Sequence, residues 1–149
     1  MAKAFLSTNG AFPFFFNVSG IVGQGGTNQG EDVALVSFLM RAAAKGSSVP
    51  AATAILSATR QTSVCTPALI ASIKALQAVI GVSQDGKVSV ATNPSGNYTS
   101  SMTTGAWMIC RLSGVVRRGH PDVYPRLDKI AGCPPEVAAL VTRTLVGTG

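Results

Sequence analysis

The stretch SGIVGQGGTNQGEDVALVSFLM, from Ser19 to Met40, joins a glycine-rich polar loop directly to an apolar segment. Apolar residues recur at helical spacing after the loop, and this periodicity predicts a helix over residues 31–45. Asn28 and Glu31 have the spacing of a capping box, with Asn28 as the N-cap. The glycines are then expected to set the approach of the chain to this helix.

A glycine-rich loop before a helix can also bind phosphate, and two known patterns test this possibility. The dinucleotide pattern G-x-G-x-x-G is matched by Gly23 and Gly25, but Asn28 stands where the third glycine belongs. A P-loop ends in Gly-Lys-Ser/Thr, and this loop contains no lysine. We therefore expect a structural role for the glycines and no cofactor.

Four further helices follow from the same periodicity and from boundary residues. A helix is predicted from Ala51 to Thr59, after Pro50. Thr66 and Pro67 are suitable N-cap and N1 residues for a third helix, which ends at Gly81. Two more are predicted from Met102 to Leu112 and from Glu136 to Leu145, with an irregular basic loop from Arg117 to Pro125. The predicted fold is mainly α: a compact bundle of about five helices with few or no strands.

Composition and charge favour a folded protein and disfavour several classes of partner. Hydrophobic residues make up 46% of the 149 residues and charged residues 12%, about half the usual ~25%, so disorder is not expected. The net charge is +6, but Arg117-Arg118 is the only adjacent basic pair, which disfavours nucleic-acid binding. No apolar run is long enough to span a membrane, and no signal-peptide cleavage pattern follows the N-terminus. Because chains with so few charges are common among secreted and envelope proteins, we expect an envelope or periplasmic protein, or one exported from the cytoplasm without a cleaved signal peptide.

The candidate catalytic residues surround the single histidine. His120 could be oriented by Asp122 or Asp128, with Cys110 or Cys133 as nucleophile. The alternative is a histidine in a surface loop. Glu31 and Glu136 are predicted at helix starts, where the dipole favours the charged carboxylate, so both are poor general acids. Enzymatic activity is therefore not the favoured prediction.

The three cysteines, Cys65, Cys110 and Cys133, have no zinc-type spacing, and no metal site is expected. Two interpretations stay open for them: three small buried thiols, or one disulfide such as Cys110–Cys133.

Five of the nine aromatic residues lie in the first 20 residues. Residues 12–18 are predicted to form an extended strand or arm. The phenylalanines there either cover the core of the same domain or dock on a protein partner. The candidate partner contacts are Phe12, Phe14, Phe15 and Phe16.

Two segments resemble the peptidoglycan-binding-like family of small helical domains. Ser72–Val88, SIKALQAVIGVSQDGKV, matches the family's helix and Asp-Gly turn at Ile73, Leu76, Gln77, Gly81, Val82, Asp85, Gly86 and Val88. The earlier segment matches a variant that begins S-V-G-x-G-G-x-N and continues D-V-x-x-V-Q-x-L-L-N, at Val22, Gly23, Gly25, Gly26, Asn28, Asp32, Val33 and Val36. Ser37 stands in place of the expected glutamine and Arg41 in place of the expected asparagine, and the usual G-x-x-T tail after the Asp-Gly turn is missing.

The resemblance implies a helical domain over residues 20–100, preceded by a Phe-rich arm (1–20) and followed by a helical extension (101–149) on the same core. It also implies a non-enzymatic module that binds or docks on cell-wall glycopeptide, delivered by a secretion system or a phage particle. The candidate polar contacts are Asn28, Gln77, Gln84 and Lys87. Two alternatives remain: a wall-degrading enzyme or toxin with its site in residues 101–149, and an adaptor that assembles through the arm.

Overall fold

Five α-helices and two short antiparallel ribbons make up the part of the chain described by the computed structural model, residues 2–6, 14–90 and 108–143. The helices are α1 (Gly30–Ala43), α2 (Pro50–Ala58), α3 (Pro67–Ile80), α4 (Met108–Gly119) and α5 (Pro135–Val141). Strand β1 (Lys3–Leu6) pairs with β2 (Phe14–Asn17), and β3 (Val22–Gly23) pairs with β4 (Lys87–Val88). Two 3-10 turns, Ala44–Gly46 and Leu127–Lys129, complete the elements. The predicted mainly α fold is confirmed.

Helix α1 is the centre of the fold. Eleven of its 14 residues are buried, because α2, α4, α5 and β3 all pack against it. A helix enclosed on nearly every side needs apolar residues all round rather than along one stripe. The run Val33–Met40 supplies them and is interrupted only by Ser37. Ser37 meets another segment from inside this run, because its Oγ donates to the Thr62 carbonyl at 3.0 Å and accepts from the Thr62 N–H at 3.1 Å.

The start of α1 differs from the predicted capping box. The helix begins at Gly30 with Gln29 in the N-cap position, and no side chain caps it. Asn28 lies before the cap in the left-handed conformation, with φ of 51°. The capping-box prediction is wrong because the Asn28 amide bonds to the glycine loop instead.

The boundaries of α2 and α3 agree with the predictions. Thr66 Oγ1 accepts a hydrogen bond from the Leu69 N–H, and Gly81 ends α3 in the left-handed conformation. Helix α4 differs, because it continues to Gly119 through residues predicted to be irregular. Arg117 and Arg118 are exposed in its last turn, where cations suit the helix carboxyl end. Residues 102–107 and 144–145 of the predicted helices lie outside the described residues.

Two glycines bring α4 against the turn that follows α1. A Cβ atom added to Gly119 would lie 2.5 Å from the Gly46 nitrogen, and one added to Gly46 would lie 2.0 Å from the Val115 oxygen. Arg118 Nε also donates to the Gly46 carbonyl at 2.9 Å. The two backbones are therefore in direct contact, with no room for side chains between them.

The N-terminal ribbon is attached to α4 through Phe16. Its ring is fully buried and meets the Tyr124 ring edge-on, with centroids 5.9 Å apart. The Phe16 N–H also donates to Ser113 Oγ at 3.4 Å. Phe16 is thus a core residue, and its assignment as a partner contact is wrong. Phe12 and the side chains of Phe14 and Phe15 lie outside the described residues.

None of the helices described is both long and apolar enough to cross a membrane.

Candidate functional site

The Asn28 side chain makes three hydrogen bonds to the backbone of the glycine loop. Its Oδ1 accepts from the Gly23 N–H at 2.7 Å, and its Nδ2 donates to the Gly23 carbonyl at 3.0 Å and to the Gly26 carbonyl at 3.1 Å. Both amide protons are therefore used within the loop. Asn28 was predicted as a ligand contact, but these bonds make its amide part of the loop structure.

Gln77 has the same role at the Asp-Gly turn. Its side chain is 3% exposed, and its Oε1 accepts from the Gly86 N–H at 2.9 Å. Its Nε2 donates to Asp85 Oδ1 at 3.0 Å and to the Lys87 carbonyl at 3.1 Å. Because the amide is buried and its donors are occupied, this geometry gives no support to the ligand contact predicted for Gln77.

The β3–β4 ribbon joins these two amides into one unit, which we call the amide-locked junction (Gly23, Asn28, Gln77, Asp85, Gly86 and Lys87). Gly23 pairs with Lys87, and the Gln24 N–H donates to the Gly86 carbonyl at 3.0 Å. Gly23 has φ of 125°, and a Cβ atom there would lie 1.9 Å from the Gly86 oxygen. Only glycine fits at this crossing.

The outer surface of the junction carries polar side chains that can meet a ligand. Gln84 is exposed and Lys87 is partly exposed, as a contact residue requires. Gln24 is also exposed, on the strand end opposite Gly86. Sequence reasoning missed Gln24, because its position follows only from the pairing of two distant segments.

The catalytic candidates have other partners. His120 Nε2 lies 3.1 Å from the Ala42 carbonyl, and since a carbonyl only accepts, Nε2 carries the proton in that contact. Asp128 accepts two hydrogen bonds from Arg126, at 2.9 and 2.7 Å, and this pairing lowers the pKa of the Asp128 carboxyl. Asp122 is exposed. No hydrogen bond among the described residues joins His120 to either aspartate, so the predicted catalytic grouping has no geometric support.

All three cysteines are free thiols, so no Cys110–Cys133 disulfide is present. Burial raises the pKa of Cys110 to about 12 and that of Cys133 to about 11, and it also raises the pKa of Cys65. A thiol acts as a nucleophile through its thiolate, which a raised pKa disfavours. In the described parts of the chain, no three His, Cys, Asp or Glu side chains are close enough together to hold a metal ion.

Three of the hollows on the surface of the described residues differ in character. The first, about 510 Å³, lies at the carboxyl end of α1 and includes Arg41, Lys45, His120 and Lys129. A mainly apolar groove of about 260 Å³ lies between α2, α3 and α4. A third, of about 290 Å³, is lined by threonine and serine side chains where α2 leads into α3. Sequence reasoning identified none of the three, since each combines residues from separate segments.

No protein-family model, curated protein or solved structure matches this chain.

Proposed function

We propose that this protein is a non-enzymatic module that binds or docks on bacterial cell-wall peptidoglycan. The observation that supports the proposal is the amide-locked junction. Residues that resemble the family pattern in two distant segments meet in one hydrogen-bonded unit, through Val22 pairing with Val88. A resemblance that arose by chance would not require its residues to contact one another.

The ligand surface in this proposal is the outer face of the junction, formed by Gln24, Gln84 and Lys87. Peptidoglycan presents sugar hydroxyls, amides and carboxylates, which amide side chains and an ammonium group can bind as hydrogen-bond partners. Asn28 and Gln77 contribute indirectly, because they fix the backbone that carries these side chains. Location in the cell envelope, and delivery by a secretion system or phage particle, belong to the same proposal.

Sedimentation with purified insoluble peptidoglycan tests the proposal. The wild-type protein is expected in the pellet at low salt. The Gln84→Ala/Lys87→Ala variant is expected to bind several-fold more weakly, since it loses a neutral and a charged hydrogen-bonding group. Both side chains lie at the surface, so the variant should keep its fold.

The control must separate specific binding from adsorption of a basic protein to an anionic wall. Arg117→Ala removes an exposed cation from α4, outside the junction. It should sediment like the wild type. Wild-type protein that remains in the supernatant would refute the proposal, and equal losses in both variants would show that net charge alone drives the association.

A further inference from the structure

The hollow at the carboxyl end of α1 lies mostly in residues that neither motif segment covers. Its walls come from the last turns of α1 with the following 3-10 turn, from residues 120–123 and from residues 129–132. Its volume of about 510 Å³ falls within the range of ~300–1,000 Å³ common for small-ligand sites. We call it the cationic cavity.

Its charge is one-sided. Arg41, Lys45 and Lys129 line it, and none of the six acidic residues of the chain does. Asp128, next to Lys129 in sequence, is held by Arg126. Arg41 in the last turn of α1 and Lys45 in the 3-10 turn that follows both line the cavity, where like charges repel. An anion bound between these cations would relieve the repulsion.

The cavity lining also includes apolar side chains. These belong to Phe38, Ala42, Val123 and Ile130, and the Nε2–H of His120, another lining residue, is bonded to the Ala42 carbonyl. A small inorganic anion is comparable in size with a few water molecules of ~30 Å³ each, so it would leave most of the cavity unfilled. The shape and chemistry suit an organic anion that carries small apolar groups.

We propose that the cationic cavity binds the stem peptide of peptidoglycan, which carries carboxylates and contains alanine. This choice of ligand rests on the function proposed above. The Arg41 guanidinium pairs with a carboxylate through two parallel hydrogen bonds, and Lys45 and Lys129 neutralise further carboxylates. The alanine methyl groups contact the apolar side chains of the cavity lining. Arg41 is one of the two positions at which the chain departs from the family pattern, so this contact is particular to this chain.

Calorimetric titration of the full-length protein with a synthetic free-acid stem peptide (Ala-Glu-diaminopimelate-Ala) tests the inference. The peptide is expected to bind, and its carboxyl-amidated form is expected to bind at least ~tenfold more weakly, because charge-assisted pairs are lost. Arg41→Glu should weaken binding of the acid peptide by ~tenfold or more. The matched control is Arg60→Glu, which changes the net charge equally at another exposed arginine and should alter binding less than ~twofold at moderate salt.

Three results would overturn the inference: no binding of the acid peptide, equal binding of the amidated peptide, or equal losses in Arg41→Glu and Arg60→Glu. Inorganic phosphate that binds as tightly as the peptide would also overturn it, by showing a simple anion site. The sedimentation assay keeps the two proposals apart. Wild-type protein that sediments with peptidoglycan yet does not bind the peptide refutes only the cavity. Peptide binding by a Gln84→Ala/Lys87→Ala variant that sediments like the wild type supports the cavity and refutes wall binding by the junction.

Discussion

The amide-locked junction and the C-terminal region (residues 108–143) both pack on the central part of the fold, but their side chains make polar contacts of different range. In the junction, the Asn28 and Gln77 amides bond to backbone groups no more than 10 residues away, while the β3–β4 backbone pairing joins its two segments. In the C-terminal region, Arg118 and His120 reach the end of α1 across 72 and 78 residues. Arg143 reaches Glu31 at the other end of α1 across 112 residues. Short-range polar contacts leave a pattern in the sequence, and long-range ones do not.

The largest effect is expected where the junction's two segments cross. Gly23→Ala places a Cβ atom against the Gly86 carbonyl and forces alanine into φ of 125°. The ribbon must separate to admit it, so we expect a loss of roughly 3 kcal/mol or more in the free energy of unfolding. Urea denaturation followed by circular dichroism measures it.

Gly25→Ala is the matched control for this substitution. Gly25 also has a positive φ, 72°, but a Cβ atom there meets nothing within 4 Å. Only the conformational cost remains, about 1 kcal/mol. Equal losses in the two variants would mean that the crossing is not the tight contact described here.

The second expected effect isolates the amide bonds. Gln77→Ala removes the partner of the Gly86 N–H, of the Lys87 carbonyl and of Asp85 Oδ1. Unpaired buried polar groups cost about 1–3 kcal/mol each, so a total loss of about 2–3 kcal/mol in unfolding free energy is expected, because water reaches part of the turn.

Gln84→Ala is the control for Gln77→Ala, because Gln84 lies in the turn that the Gln77 side chain contacts. The Gln84 side chain is exposed, and its loss should change the unfolding free energy by less than about 0.5 kcal/mol. Hydrogen exchange of the Gly86 amide should accelerate only in Gln77→Ala. Unchanged exchange in that variant would contradict the role assigned to the amide.

The range of these contacts explains which features the sequence could predict. The helices α2 and α3 were predictable, because Pro50, Thr66, Pro67 and Gly81 mark boundaries through local backbone chemistry. The Asp-Gly turn was predictable for the same reason. The role of Asn28 was not, because its amide could cap a helix or close a loop, and the choice depends on where Gly23 lies. The cationic cavity depends on Arg41 and Lys129 meeting, and no spacing in the sequence encodes that distance.

The third effect is expected in the C-terminal region, and it reverses a common trend. Replacing a helical glycine by alanine usually stabilises a helix by about 0.5–1 kcal/mol. In Gly119→Ala the new Cβ atom meets the backbone of Gly46, so we expect a loss of about 1–2 kcal/mol instead. Gly30→Ala, at the start of α1, meets its first non-neighbouring atom only at 3.5 Å and should be neutral or stabilising. Thermal denaturation shows directly whether each variant is more or less stable than the wild type. A more stable Gly119→Ala variant would show that α4 does not closely approach the Gly46 backbone.

The smallest expected effect is a dependence of stability on pH. The C-terminal region buries the ionisable Cys110 thiol, whereas the junction buries the neutral Gln77 amide. Burial raises the pKa of Cys110 from 9.0 to about 12, so above pH 9 the unfolded chain loses this proton while the folded chain keeps it. The contribution of Cys110 to stability is therefore complete below pH 9 and decreases as the pH rises toward 12. Between pH 8 and pH 10 the unfolding free energy of the wild type should fall by about 1 kcal/mol more than that of Cys110→Ala, since one pH unit corresponds to about 1.4 kcal/mol per proton. Urea titrations under reducing conditions measure this difference. The contributions of the other ionising groups are common to both proteins and cancel in the comparison. Parallel pH profiles for the two proteins would show that the Cys110 thiol reaches water in the folded chain, and would contradict its burial between α4 and the core.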